Sequence, residues 1–271
     1  NINKKHITLG VLLNGNICPV LKVGSNNIIV KNTCGFDSIV QILAAACVYD
    51  KFKVFIDTAT TNAFKFIKSF VQLGSTKIIY KMCAKILKSV TCFLKDIEMS
   101  NILKVDACSN VINLCEYVFP ENYSYIEIRT CQTCGNIKMI KKCILSINEE
   151  ILYQHGYAKI VDAIKEGRIV NLRCNKCDEV RIMSVSYGAQ LFIESSIMTD
   201  LDDIPYSIKL NEQHFTHAGC VVYHGQSSEM SVGHYTAYVC NSTNWIEYDD
   251  LLRKPKKCVK PKSDVNLCIY V

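Results

Sequence analysis

Apolar residues recur every three or four positions through the first half of the chain and every second position through the last third. CGFDSIVQILAAACVYD (34–50) places Phe36, Ile39, Val40, Ile42, Leu43 and Ala46 at helical spacing and contains no proline. AFKFIKSFVQL (63–73) and KIIYKMCAKILKSV (77–90) repeat that period. Asp106 stands where it would cap a further helix through VINLCEYVF (111–119), which Pro120 follows. Residues 34–118 therefore read as helical, after an irregular, β-leaning stretch over 1–30. Beyond 118 the character changes. YSYIEIRT (123–130) and IKMIKKCILSI (137–147) alternate as strands do. YQHGYAKIVDAIKEG (153–167) predicts a short helix ended by Gly167. From 168 onward strands dominate: EVRIMSVS, AQLFIES, YSIKL, HAGCVVYHG, HYTAYVC, NWIEYDD and NLCIYV. Helices first and strands second predict an α+β protein with an antiparallel sheet.

Composition narrows the class. With 271 residues, 49% hydrophobic and 21% charged, the chain is globular rather than disordered, with room for one large domain or two small ones. The formal charge is 31 − 25 = +6. Its densest basic run, RKPKKCVKPK (253–262), has no interleaved aromatics, so it reads as a solvated loop and nucleic acid is disfavoured as a partner. The longest apolar runs, such as ILAAACVY (42–49), fall far short of the ~18 residues a membrane span needs, so no membrane association is expected. Asn1 in place of Met reads as the start of a processed or partial chain. The sixteen cysteines admit two readings, disulfides in a secreted protein or reduced thiols in an intracellular one. Cys47, Cys83, Cys92, Cys108, Cys115, Cys220, Cys240 and Cys268 sit in apolar segments as core thiols would, which favours a reducing, intracellular compartment.

Four cysteines stand apart. Cys131 and Cys134 form one C-x-x-C in RTCQTCG, and Cys174 and Cys177 another in LRCNKCD, with thirty-nine residues between the pairs. Two residues between cysteines let both sulfurs turn to one point, the knuckle geometry of tetrahedral Zn²⁺, and Gly135 suits the tight turn. The expectation is a closed, structural zinc site. A redox C-x-x-C and an iron–sulfur cluster are the alternatives; no thioredoxin-like βαβ frame surrounds either pair.

The remaining chemistry lies at opposite ends of the chain. In KNTCGFDSIVQIL (31–43), Cys34 precedes a predicted helix, whose dipole would lower the thiol's pKa. In VGHYTAYVCNSTNWIEYDDL (232–251), His234 opens one strand while Asp249 and Asp250 close the next. A turn at 241–244 would set His234 beside Asp249, and an acid beside Nδ1–H orients an imidazole. Cys, His and Asp together make a thiol-protease triad. The other histidines, His6, His155, His214, His217 and His224, have no such context.

At these residues the sequence resembles the ubiquitin-specific protease family of deubiquitinases. The family's cysteine box, N-x-G-N-T-C-Y-x-N-S-x-L-Q, is matched by Asn32, Thr33, Cys34, Ser38 and Gln41. Its histidine box, G-H-Y-x-x-Y followed by W-x-x-[FY]-[ND]-D, is matched by Gly233, His234, Tyr235, Tyr238, Trp245, Tyr248, Asp249 and Asp250. The resemblance extends over almost the whole chain. It implies a single catalytic domain over 1–271 with the papain-like thumb–palm–fingers fold: a helical thumb (roughly 25–118), zinc-bound fingers (roughly 119–195) and a palm sheet (roughly 196–271). It implies Cys34 as nucleophile, His234 as general base, Asp249 as its orienting acid and Asp250 as a second acid. Its partners would be ubiquitin or SUMO and their conjugates, in the cytoplasm or nucleus.

Three positions depart from that pattern. Ile29 stands where the family places an oxyanion-stabilising Asn, with Asn32 or Asn27 as substitute donors; Gly35 replaces a bulky residue; Asp37 replaces an Asn. CGFDSI is similar to a divergent SUMO-directed branch of the family. The function expected is hydrolysis of the bond after the C-terminal glycine of ubiquitin, with two alternatives: a SUMO isopeptidase, or a ubiquitin-like-binding module without turnover. A zinc-finger nucleic-acid binder ranks last, because it leaves both motifs unexplained.

Overall fold

The computed structural model describes residues 9–90, 93–98, 101–167, 172–225, 233–241, 244–258 and 262–271. Residues 9–20 are irregular apart from a 3-10 turn at Gly15–Ile17, and lead into β1 (Leu21–Val23) and β2 (Asn26–Lys31). Asn32 then turns the chain through the left-handed region, with φ +57°, and α1 (Cys34–Ala45) begins. Every residue of α1 after Cys34 is buried, as expected of a helix that is apolar nearly all round.

The sequence pattern reads one helix to residue 50. Instead the chain tightens into a 3-10 turn at Ala46–Val48 and restarts as α2 (Asp50–Thr58). The amphipathic α3 (Asn62–Leu73) and α4 (Lys77–Ser89) follow, with Gly74 at φ +63° ending α3. The helical reading of 34–118 fails at β3 (Leu94–Glu98) and β4 (Ile102–Asp106), an antiparallel hairpin whose second strand pairs in parallel with β2. The second partner of β4, β2, lies some 75 positions earlier, beyond any local window. The cap of α5 (Val111–Val118) is Asn110, whose side chain accepts the Asn113 N–H, and not Asp106. Asp106 accepts from Asn32 Nδ2 and the Cys108 N–H instead.

β5 (Tyr125–Cys131), β6 (Ile137–Lys142) and β8 (Arg181–Tyr187) form a three-stranded antiparallel sheet with β5 central. Between them lie β7 (Ile144–Leu145), α6 (Glu149–His155) and α7 (Ile160–Glu166); the single helix expected over 153–167 is broken at Gly156, φ +70°.

The rest is the large sheet: β9 (Leu191–Asp200), β10 (Ser207–Leu210), β11 (Gln213–His224), β12 (His234–Asn241), β13 (Asn244–Tyr248), β14 (Lys256–Cys258) and β15 (Lys262–Tyr270). Its order is β14-β13-β12-β11-β15-β9-β7, with β10 on β11. Alternation along β11 and β12 builds two cores. Val221, Ala237 and Val239 join the one around α1, and Cys220, Val222 and Tyr238 join the one against Tyr157, Ile160 and Ile164.

Cys47, Cys83, Cys115, Cys220 and Cys268 are buried and Cys240 is half-buried. Cys108, read as a core thiol, is exposed, because it lies in the loop between β4 and α5. Cys92 lies outside the described residues. Part of the basic run forms the edge strand β14, with Lys256 and Lys257 exposed; lysines on a sheet edge discourage further pairing. Residues 259–261 of that run lie outside the described residues. No described helix is long and apolar enough to cross a membrane.

Candidate active site and metal centre

α1 carries Cys34 at its first turn and packs against β12, whose first residue is His234. The N–H of Tyr235, the next residue along, points at the Cys34 sulfur, and the two segments meet there. The β12–β13 hairpin pairs Asn241 with Asn244 and Ala237 with Tyr248, which returns the chain to His234 just after β13 ends. His234 Nε2 lies 2.9 Å from Asp249 Oδ1 and 3.6 Å from Asp250 Oδ1. The acid thus meets Nε2 rather than Nδ1. Asp249 Oδ1 also accepts the Leu251 N–H at 2.9 Å, which fixes the carboxylate. One ligand atom from each of His234, Asp249 and Asp250 falls within 4.8 Å of the others. Asp250 is 3% exposed, and burial pushes its pKa up to about 6.

The thiol differs from the helix-dipole expectation. Burial, and then the charge of Asp250, raise Cys34 to about 11, against the opposing pull of the Tyr235 and Gly35 N–H groups. At neutral pH Cys34 is a thiol, and a base must take its proton.

The three departures each have a structural counterpart. A Cβ on Gly35 would lie 2.6 Å from Leu114 Cδ1, because α5 fills the space where a larger residue would stand. Ile29 lies in β2, half-buried. Asn32 is committed: its Nδ2 donates to Asp106 Oδ1 at 2.8 Å, and its Oδ1 accepts from Asn16 Nδ2 at 3.1 Å. Asn27 sits four residues before the last residue of β2, roughly 13 Å of strand away. The Cys34 N–H, first in α1, has no partner within the helix and remains as a donor there. Asp37 is buried in the first turn of α1 and bonded to Thr33 Oγ1. Gly233 is required by Tyr223, whose hydroxyl would lie 2.0 Å from any Cβ there.

Two residues near the site escaped the sequence. Asn14 donates through Nδ2 to Asp250 Oδ2 at 2.7 Å, from a loop without a motif. His224 is the cross-strand partner of His234, their rings stacked at 6.4 Å, and its Nε2 bonds Thr236 Oγ1 at 2.8 Å. Burial and the facing His234 lower its pKa. The register of HAGCVVYHG against HYTAYVC was the one available signal for it.

The four cysteines meet at the far end of the three-stranded sheet. Both turns repeat one backbone pattern: Gly135 N–H to Cys131 O and Cys131 N–H to Asn136 O, then Asp178 N–H to Cys174 O and Cys174 N–H to Glu179 O. Gly135 (φ +67°) and Asp178 (φ +60°) occupy equivalent left-handed positions. The sulfurs of Cys131 and Cys177 are 3.5 Å apart and those of Cys134 and Cys174 3.6 Å apart, all four within 4.8 Å of one another. A tetrahedral Zn²⁺ with Zn–S of about 2.3 Å has sulfur–sulfur edges of ~3.8 Å, so this donor set fits it. The Lys176 N–H and Arg181 Nη2 point at Cys174 Sγ from 3.5 and 3.6 Å, and such donors stabilise thiolate.

No protein-family model matches the chain. Among curated proteins, a 120.7 kDa protein of the NOF-FB transposable element of Drosophila melanogaster is 24% identical over 289 residues, covering 96% of this chain and 26% of that protein. The chain thus spans about a quarter of that relative's length. Among solved structures, the Neurospora crassa Pan2 catalytic unit (protease and nuclease domain) is 11% identical with a TM-score of 0.53, over 95% of this chain and 57% of the other. The Saccharomyces cerevisiae apo Pan2 pseudoubiquitin hydrolase–RNA exonuclease module is 12% identical with a TM-score of 0.50, over 100% and 59%. At such identities the likeness concerns the fold alone: the chain shares the mixed α/β fold of these two Pan2 structures.

Proposed function

We propose that the chain is a thiol isopeptidase that cleaves after the C-terminal glycine of ubiquitin or a ubiquitin-like modifier. The observation that carries this is the meeting of the first turn of α1 with the first residues of β12: the Tyr235 N–H faces Cys34 while the adjacent imidazole bonds Asp249 at 2.9 Å. The family motifs at the same residues support the substrate class, and the fold shared with the Pan2 pseudoubiquitin hydrolase is compatible with it. In this reading the helical half is a thumb, the three-stranded sheet the fingers and the large sheet a palm.

With Nε2–H held by Asp249, Nδ1 is the nitrogen available as base. It takes the Cys34 proton as sulfur attacks the glycine carbonyl carbon. The oxyanion is met by the Cys34 backbone N–H at the start of α1. The imidazolium then gives its proton to the departing lysine amine, leaving a thioester. His234 next deprotonates a water whose oxygen attacks the thioester carbon, and the proton returns to sulfur as the glycine carboxyl leaves. Cys131, Cys134, Cys174 and Cys177 would hold a structural Zn²⁺, a closed four-thiolate site that keeps the two turns rigid.

The experiment is parallel incubation with ubiquitin and SUMO carrying a C-terminal electrophile. An adduct mapped to Cys34, lost in Cys34→Ala, supports the proposal, and the faster probe identifies the modifier. Binding of either modifier without an adduct would favour the second reading, a ubiquitin-like-binding module without turnover. Intact Cys34, His234 and Asp249 argue against that reading, since a binding scaffold has no chemical need of all three.

A further inference from the structure

Asp37 lies three residues past Cys34 and is 2% exposed. The Thr33 hydroxyl donates to its Oδ2, and Thr33 Oγ1 in turn accepts the Gly15 N–H at 2.8 Å. Across the site Asp37 faces Asp250, also buried. Asp250 Oδ2 accepts from Asn14, while its Oδ1 has no hydrogen-bond partner among the described residues and looks toward His234.

The other ionisable groups facing Asp37 and Asp250 are the thiols of Cys18, Cys34 and Cys83, the Tyr80 hydroxyl, Asp249 and His234. Only His234 among these described residues can be cationic, and it lies against Asp250. Two carboxylates cannot both stay ionised side by side in an interior with so little positive charge. Burial and the Asp250 charge hold Asp37 well above the usual carboxylate range.

We infer that Asp37 and Asp250 share one proton, carried by Asp37, and that this neutral carboxyl is a positioning group for the site. It bonds Thr33 on one side and Asp250 on the other. One chain of hydrogen bonds then ties the Gly15 loop, the residue before the nucleophile, the first turn of α1 and the acids behind the imidazole. The carboxyl stands where the resembled family has Asn, and a protonated carboxyl is the isostere of that amide.

The role in turnover rests on the isopeptidase reading; the protonation state does not, and the tests separate them. Thermal unfolding of wild type and Asp37→Asn is followed across pH 4–8. A native carboxyl that keeps its proton while the unfolded chain releases it above about pH 4 destabilises the fold increasingly as pH rises. The amide has no such linkage, so the advantage of Asp37→Asn grows with pH. A difference that is flat, or that shrinks with pH, overturns the inference. Infrared spectra at pH 7 supply a second readout: a carboxylic-acid carbonyl band present in wild type and missing in Asp37→Asn is expected, and identical spectra in that region count against it. In the probe assay, Asp37→Ala slows adduct formation by about tenfold or more and Asp37→Asn restores most of it. Equal loss in both would assign the role to an ionised carboxylate instead.

Discussion

Asn14 holds Asp250 from two sides, its backbone N–H donating to the Asp250 carbonyl at 2.9 Å and its Nδ2 to Oδ2 at 2.7 Å. This joins the first described loop to the acids behind His234 across 236 positions of sequence. Replacing Asn14 by Ala leaves the buried carboxylate short of a charge-assisted hydrogen bond, a loss of ~1.5–3 kcal/mol in stability. It also removes an interaction that lowers the Asp250 pKa, so the acid limb of the adduct-rate profile moves to higher pH. Thermal unfolding and the pH profile of Asn14→Ala check both effects; a profile unchanged in position would disconnect Asn14 from the site.

This contact shows where sequence reading stops. Most strands of the large sheet were legible because alternation is a local signal, and β12, β13 and the hairpin that sets His234 beside Asp249 fall where the pattern places them; β14 was not, because its lysine-rich sequence reads as a solvated loop. The two C-x-x-C turns were legible as local signals too, since each closes within six residues. The β3–β4 hairpin was not, although its pairing is local, and the pairing of β4 with β2 is remote. Asn14 and the burial of Asp37 were invisible because their partners lie elsewhere in the chain, on segments with no pattern of their own. The break between α6 and α7 hangs on one glycine, which a helical period tolerates on paper.

The state of the nucleophile can be read by alkylation. With burial and the Asp250 charge raising Cys34 to about 11, its reaction with iodoacetamide, followed by peptide mapping, accelerates steadily with pH through 9. A plateau below pH 8 would mean a preformed thiolate. In the electrophile assay, Asp249→Asn slows the reaction by ~10²–10⁴, because the imidazole loses the acid that fixes its tautomer. Asp250→Asn has the smaller effect, since its Oδ1 lies at 3.6 Å from Nε2 against 2.9 Å for Asp249.

The cysteine cage predicts metal dependence of structure rather than of chemistry. The chain as isolated should carry one zinc per molecule by elemental analysis, and Cys131→Ser or Cys174→Ser should abolish it. Chelation should lower the melting temperature and expose the four thiols to titration together. Purified protein with no zinc, and four thiols that react one at a time, would remove the metal centre from the fold.

Buried His217 supplies a stability test independent of any activity. It is wholly inaccessible, with its ring 4.8 Å from that of Tyr270 and 5.6 Å from that of Trp245, and the Gly219 backbone is a weak polar partner of the ring. Burial lowers its pKa from 6.5 to about 3. The folded ring therefore stays neutral while the unfolded chain takes up a proton below pH 6.5. The unfolded state binds more protons in that window, so the contribution of His217 is intact above pH 6.5 and is lost progressively as pH falls toward 3. Phenylalanine fills nearly the same space without a basic nitrogen, and the change at pH 8 should stay within ~1.5 kcal/mol. Melting curves of wild type and His217→Phe should accordingly diverge on acidification, with the variant gaining at each step from pH 6.5 to 4. Parallel curves would show that the imidazole finds a proton acceptor inside the fold and titrates there as it does in water.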